Sequence, residues 1–281
     1  MHKNQFSEHF DMNKEFKYEK YTAGDGFEMP YRIYIPHNYD CGAMYPLLVL
    51  LHGAGERGND NEAQVKVNFT HIFDDPESPA YESIIIAPQC AEDKQWVYTP
   101  WEYGNYSIAE IPESRECESV IEIIKIVDRE YNIDRSRIYI TGLSMGGFGT
   151  WDMLMRHPSL FAAGMPICGG GDPSQAKVLA DIPIRTFHGS LDTAVPTDAT
   201  REMYRAIKAC SKGKIKYTEY ENVGHDSWEN AYSDPDNIRW LFSKTNEKRL
   251  KKNNKKARRA GLAGVALGVV GAVVFLLKKK K

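Results

Sequence analysis

The chain has 281 residues, five of them Cys, with 36 Lys and Arg against 38 Asp and Glu. That near balance hides a split: from Glu247 onward 12 bases face one acid, a net +11, while residues 1 to 246 hold 24 bases and 37 acids, a net −13. An acidic body argues against nucleic acid as a partner, because a phosphate backbone needs concentrated Lys and Arg. Scattered cysteines without a CxxC argue against a disulfide framework or a thiolate metal site.

The first residues, MHKNQFSEHFDMNKEFKYEKY, contain no apolar run, so no secretory signal peptide is expected. Phe16, Tyr18 and Lys20 to Thr22 lead to the turn signal Asp25-Gly26, and Tyr31 to Pro36 then alternates as a strand does, which predicts a short antiparallel entry to a sheet. Apolar runs follow at Pro46 to His52, Ile84 to Gln89, Arg137 to Leu143, Ala163 to Cys168, Ile182 to His188 and Lys214 to Glu221. Several are apolar throughout, as central parallel strands covered on both faces are. Helical spacing falls between them at Ile111 to Tyr131, Phe148 to Arg156 and Thr197 to Ala209, with a last helix predicted over Asn237 to Asn246. Alternating strands and helices predict an α/β domain over residues 1–246 with a mainly parallel sheet and helices on both faces. The aromatic-rich stretch Glu92 to Pro112 has no period and is expected to be an ordered, substrate-facing insertion.

The tail reads as a basic segment at 247–260, an uncharged segment at 261–277 and a Lys cap at 278–281. Seventeen or eighteen uncharged residues make a helix of roughly 26 Å, at the short end of what spans a bilayer of about 30 Å. Cations on both flanks suit anionic headgroups, so a transmembrane tail anchor with anionic lipid as partner is expected, and the larger basic flank places the body in the cytoplasm. Gly261, Gly264, Gly268 and Gly271 form a small-residue stripe that suggests self-association.

The strongest local signal is Gly142-Leu-Ser144-Met-Gly146, directly after the strand RIYIT and before a helix, which is the context of a nucleophile elbow. A serine hydroxyl needs a base and a group to hold that base. His225 in Val223-Gly-His-Asp226 follows the last predicted strand and Asp192 in His188-Gly-Ser-Leu-Asp192 follows the one before, in the order Ser, acid, His. His188 reads better as a satisfied strand-end histidine and His157 as a helix stop, while Asp181, Asp198 and Asp226 are rival acids. The glycine-rich Gly53-Ala-Gly55-Glu-Arg-Gly58 lets backbone approach a substrate, so the N-H groups of Ala54 and Met145 are expected to form an oxyanion site. It lacks both GxxxxGK[ST] and GxGxxG, which argues against a phosphate cradle.

These pieces, with LLHGAGERG (Leu50 to Gly58), APQC (Ala87 to Cys90), GLSMGGFGTWDM (Gly142 to Met153), HGSLDTAVP (His188 to Pro196) and VGHDSW (Val223 to Trp228), resemble the α/β-hydrolase group of polyhydroxybutyrate-depolymerase-like, feruloyl and acetylxylan esterases. The group also takes in phospholipase/carboxylesterase and prolyl-oligopeptidase-family proteins. The resemblance implies the α/β-hydrolase fold, Ser144 as nucleophile with Asp192 and His225, oxyanion donors at Ala54 and Met145, and no metal or organic cofactor. The expected activity is serine carboxylic ester hydrolysis through an acyl-enzyme, on small soluble short-chain or feruloyl-type esters. A prolyl-oligopeptidase-type peptidase and a thioesterase or other acyl hydrolase are the alternatives, and a non-enzymatic binding protein is the rival outside enzymes. Arg57, Trp96, Trp101 and Trp228 are the candidate substrate contacts.

Overall fold

The computed structural model describes residues 10–66, 69–211, 213–247 and 251. Eight strands form one sheet: β1 (Lys17–Thr22), β2 (Glu28–Tyr34), β3 (Tyr45–Leu51), β4 (Ile84–Pro88), β5 (Ile133–Leu143), β6 (Ala163–Ile167), β7 (Ile184–Gly189) and β8 (Ile215–Tyr220). The helices are α1 (Met12–Glu15), α2 (Ala63–Lys66), α3 (Arg115–Glu130), α4 (Met145–Arg156), α5 (Ala176–Leu179), α6 (Thr197–Cys210), α7 (Trp228–Ser233) and α8 (Pro235–Phe242).

The strand order is β1-β2-β4-β3-β5-β6-β7-β8. β1 and β2 pair antiparallel, β2 meets β4 antiparallel, and every pairing from β4 through β8 is parallel. The entry hairpin turns where Asp25-Gly26 predicts it: Gly26 has φ +87°, and the Phe27 N-H donates to the Asp25 carboxylate at 3.2 Å.

Period-two geometry explains why the central strands are apolar throughout. Leu47, Val49 and Leu51 of β3 enter one core, with Ile84 and Ile86 of β4 and Ile138 and Ile140 of β5. Their neighbours Leu48, Leu50, Ile85 and Tyr139 enter the other. The first core is closed by Cys117, Val120, Ile124 and Val127 of α3 and by Met203 and Ile207 of α6. Ala231, Tyr232, Ile238 and Leu241 of α7 and α8 close the second. This is the α/β-hydrolase arrangement that the resemblance implied.

α3 starts where Ser114 caps it, its side chain accepting from the Cys117 N-H at 3.0 Å, so the helix is later than the first periodic residue Ile111. The last helix of this unit ends at Phe242, not Asn246: the Lys244 N-H turns to the Leu241 carbonyl three residues back at 3.3 Å instead of continuing the four-residue series.

Contacts between Cα atoms divide the chain into residues 1–245 and 246–281. In the second unit Lys251 pairs with Glu247 at 3.0 Å. The expected membrane anchor is corrected: among the described residues no helix is long and apolar enough to cross a membrane. α3, at 16 residues, is about 24 Å long and carries charge along its length, and α8 has 8 residues. The segment 261–277 on which the expectation rested lies outside the described residues. Membrane localisation, a transmembrane helix and an anionic-lipid partner are therefore withdrawn, as is self-association through the glycine stripe.

Candidate active site

β5 runs into α4 through Ser144, a non-glycine residue at φ +52° and ψ −119°. Such a conformation costs about 1–3 kcal/mol and persists only where the surroundings hold it. They do so here through backbone. The Ser144 N-H donates to the Ile167 carbonyl at 3.0 Å and lies 3.3 Å from the Cys168 sulfur, while the Ser144 carbonyl accepts from the Phe148 N-H at 3.1 Å. Gly142 is required by close approach, since a Cβ there would lie 2.4 Å from the Gly146 carbonyl oxygen.

The loops after β7 and β8 bring two side chains to this turn. His225 Nε2 is 2.8 Å from Ser144 Oγ, and His225 Nδ1 is 2.7 Å from Asp192 Oδ2. The Asp192 side chain is 0% exposed, and its other oxygen accepts from the N-H groups of Ala194 at 2.8 Å and Val195 at 2.9 Å. Burial alone would raise the Asp192 carboxyl, but hydrogen bonds from His188 and His225 and from the Val195 amide outweigh it and hold the group below the usual carboxylate range. The arrangement can therefore keep an anion beside an imidazole whose far nitrogen faces a hydroxyl.

Ala54 opens a short 3-10 helix, Ala54–Glu56, and Met145 opens α4, so each N-H sits where a helix start leaves donors without an intrahelical partner. His52, buried, organises the first of these loops. Its Nε2 accepts from the Cys90 N-H at 2.9 Å, which puts the ring proton on Nδ1, donating to the Gly53 carbonyl at 2.6 Å. The Gly53 carbonyl and the Ala54 N-H share one trans peptide plane and point opposite ways, so fixing the first aims the second. Burial pushes the His52 imidazole down to about 4, which keeps it neutral.

The candidate substrate contacts separate. Trp96 is corrected to a core residue: it is 0% exposed, its Nε1 donates to the His52 carbonyl at 3.0 Å, and its ring meets the His52 ring edge-on at 5.2 Å. Trp101 is half-buried and lines a cleft of about 380 Å³ with Gln95, Tyr98, Thr99, Pro100 and Glu102. Trp228 is half-buried and edge-on to His225 at 5.4 Å. Arg57 donates to the Ala54 carbonyl at 2.9 Å, which commits it to the loop. The insertion that carries Trp96 and Trp101 is ordered, with Tyr106 buried and its hydroxyl donating to Asp152 at 2.8 Å.

Other titratable candidates have their own partners. His157 meets Glu113 at 2.7 Å at the end of α4, and Asp198 meets Arg201 at 3.0 Å on α6. Among the described residues one grouping holds three ligand types suited to a metal, Cys168, Asp192 and His225, with ligand atoms within 4.8 Å of one another. Burial pushes the Cys168 thiol up, and Asp192 and His225 bind each other. Sequence reasoning missed Cys168 beneath the Ser144 amide, the role of His52, and the contact of His188 with Asp192. Both histidines stand before a glycine at a strand end, and that His-Gly pair is the signal that offered them.

A thermostable esterase of known crystal structure is 36% identical, with a TM-score of 0.75 over 83% of this chain and 64% of that one. A bifunctional acetylxylan esterase/xylanase of Neocallimastix patriciarum is 26% identical over 205 residues, 72% of this chain and 27% of that protein. The feruloyl esterase module of Clostridium thermocellum, at 17% identity and a TM-score of 0.57, shares the fold. The chain thus spans less than two thirds of the first two proteins. Residues 26–260 match the family described as "Putative esterase", and the chain belongs to that family.

Proposed function

We propose that this chain is a serine carboxylic ester hydrolase that works through an acyl-enzyme on small soluble esters, short-chain or aromatic. The observation that carries the reading is the unbroken hydrogen-bonded series from Ser144 Oγ to His225 at 2.8 Å and from His225 to Asp192 at 2.7 Å. In this reading Ser144 Oγ attacks the ester carbonyl as its proton passes to His225 Nε2. The N-H groups of Ala54 and Met145 receive the charge that develops on the carbonyl oxygen. His225 returns the proton to the leaving alcohol, then takes one from water as the water oxygen attacks the acyl carbon, and gives it to Ser144 Oγ as the acyl–Oγ bond breaks and the acid leaves. Asp192 orients the imidazole and stabilises its charged form.

The catalytic unit in this reading lies within residues 1–246. Acetylxylan esterase activity in the name of one relative supports a small acyl group, and Trp101 and Trp228 are half-buried aromatic side chains offered to an aromatic one. The test is turnover of p-nitrophenyl acetate, butyrate and octanoate beside methyl ferulate. Hydrolysis of acetate, butyrate or ferulate that disappears in Ser144→Ala supports the reading; no turnover of any of the four esters contradicts it.

A further inference from the structure

Asp192 touches two histidines. His188, in β7, is 0% exposed, and its Nε2 lies 3.0 Å from Asp192 Oδ2, the same oxygen that meets His225. The Nε2 atom also lies 3.1 Å from the Val195 carbonyl, so both of its neighbours are acceptors and it carries a proton. On the far side of the ring Nδ1 is 2.8 Å from Thr200 Oγ1. Thr200 Oγ1 also reaches the Gly169 carbonyl at 3.0 Å, so both ring nitrogens are held in place.

The surrounding charges leave one carboxylate to the ring. The other carboxylate beside His188 is Glu219 of β8, its register partner, and Arg201 of α6 occupies it through contacts of 2.5 and 2.9 Å, with the Tyr217 hydroxyl adding a third at 2.8 Å. Arg201 also binds Asp198. Asp192 is left as the carboxylate that faces His188, and a buried carboxylate is stabilised by a polar partner fixed in place.

We propose that His188 is a positioning residue for the reaction: a buried histidine that holds Asp192 Oδ2 from behind while His225 works in front. The proposal rests on the reading of Ser144, His225 and Asp192 as the catalytic series. Asp192 then cannot rotate when His225 gains and loses its proton, which keeps the proton path aligned.

The experiment compares His188→Leu and His188→Gln with the parent full-length protein on p-nitrophenyl acetate. Leu removes the donor, whereas the Gln amide nitrogen reaches the Nε2 position. His188→Leu is expected to lower kcat by about 10- to 100-fold with KM within about twofold, and His188→Gln to recover to within about fivefold of the parent. Parental kcat in His188→Leu, or a Gln variant no better than Leu, overturns the proposal. Nitrogen NMR of the parent labelled at histidine gives an independent arm and decides alone if the Leu variant fails to fold: a His188 Nε2-H signal that vanishes in His188→Gln supports the donor, and an unprotonated Nε2 overturns it. Parental activity in Ser144→Ala would overturn the catalytic reading itself, whereas an inactive Ser144→Ala beside parental His188 variants overturns this proposal alone.

Discussion

A Cβ on Gly146 would lie 1.9 Å from the carbonyl oxygen of Leu51. That contact joins the start of α4 to the end of β3, and so joins the Met145 amide to the strand that leads into Gly53 and Ala54. Only a residue without a side chain lets these backbones meet.

Gly146→Ala is accordingly expected to lose about 1–3 kcal/mol or more of stability, because backbone must shift to admit the methyl group. Gly55→Ala is the control, since a Cβ there meets nothing within 4 Å, and it should stay within about 0.5 kcal/mol. Urea denaturation midpoints of the two variants check this. Equal midpoints would show that α4 and β3 can separate without loss.

His52 makes stability depend on pH. Its imidazole is pushed down to about 4 in the folded chain, against an ordinary value of about 6.5 when unfolded. The unfolded chain therefore binds the extra proton first: the contribution is fully present above about pH 6.5 and is lost as pH falls toward 4. The size is on the order of 3 kcal/mol. His52→Asn, whose amide can still donate to the Gly53 carbonyl, should lose less stability than the parent between pH 7.5 and pH 4.5. Parallel losses in the two proteins would remove His52 as the cause.

Trp96→Ala should destabilise the fold by about 3–5 kcal/mol, as truncation of a large core aromatic does. Below its unfolding temperature, KM for p-nitrophenyl acetate and for methyl ferulate should change by the same factor, because the ring is enclosed and hydrogen-bonded to His52. A rise confined to ferulate would place Trp96 against the acyl group.

The parallel strands were legible because burial on both faces leaves β3, β4 and β6 apolar at every position, and no other element of that length has such a pattern. The elbow was legible for a different reason: the close approach at Gly142 and Gly146 admits no other residue, so geometry is written directly into composition. β5 begins at Ile133 instead of near Arg137, because its first residues are a polar run, Asp134 to Arg137, held against the start of β3 by the pairing of Tyr45 with Ile133. α7 was not legible at all. Its six residues are too few to show a period, and what secures it is tertiary, the Tyr232 hydroxyl 2.9 Å from Thr141. Trp96 misled because an aromatic in an aperiodic loop carries no direction, and only the Gly149 face of α4 against which it packs reveals that it points inward. His188 was read as a satisfied strand-end histidine, which it is, yet its partner four residues on is the group that also binds His225.

Modification of Ser144 is the measurement that tests the central claim most directly. A small fluorophosphonate reacts with a serine only when a base activates it and donors receive the charged oxygen. Mass spectrometry of the treated protein should find one adduct, on the peptide that contains Ser144, formed in step with loss of p-nitrophenyl acetate hydrolysis and absent from Ser144→Ala and His225→Ala. An unmodified Ser144 in a protein that still hydrolyses the ester, or a Ser144→Ala variant that keeps more than a tenth of the parent kcat/KM, would contradict it.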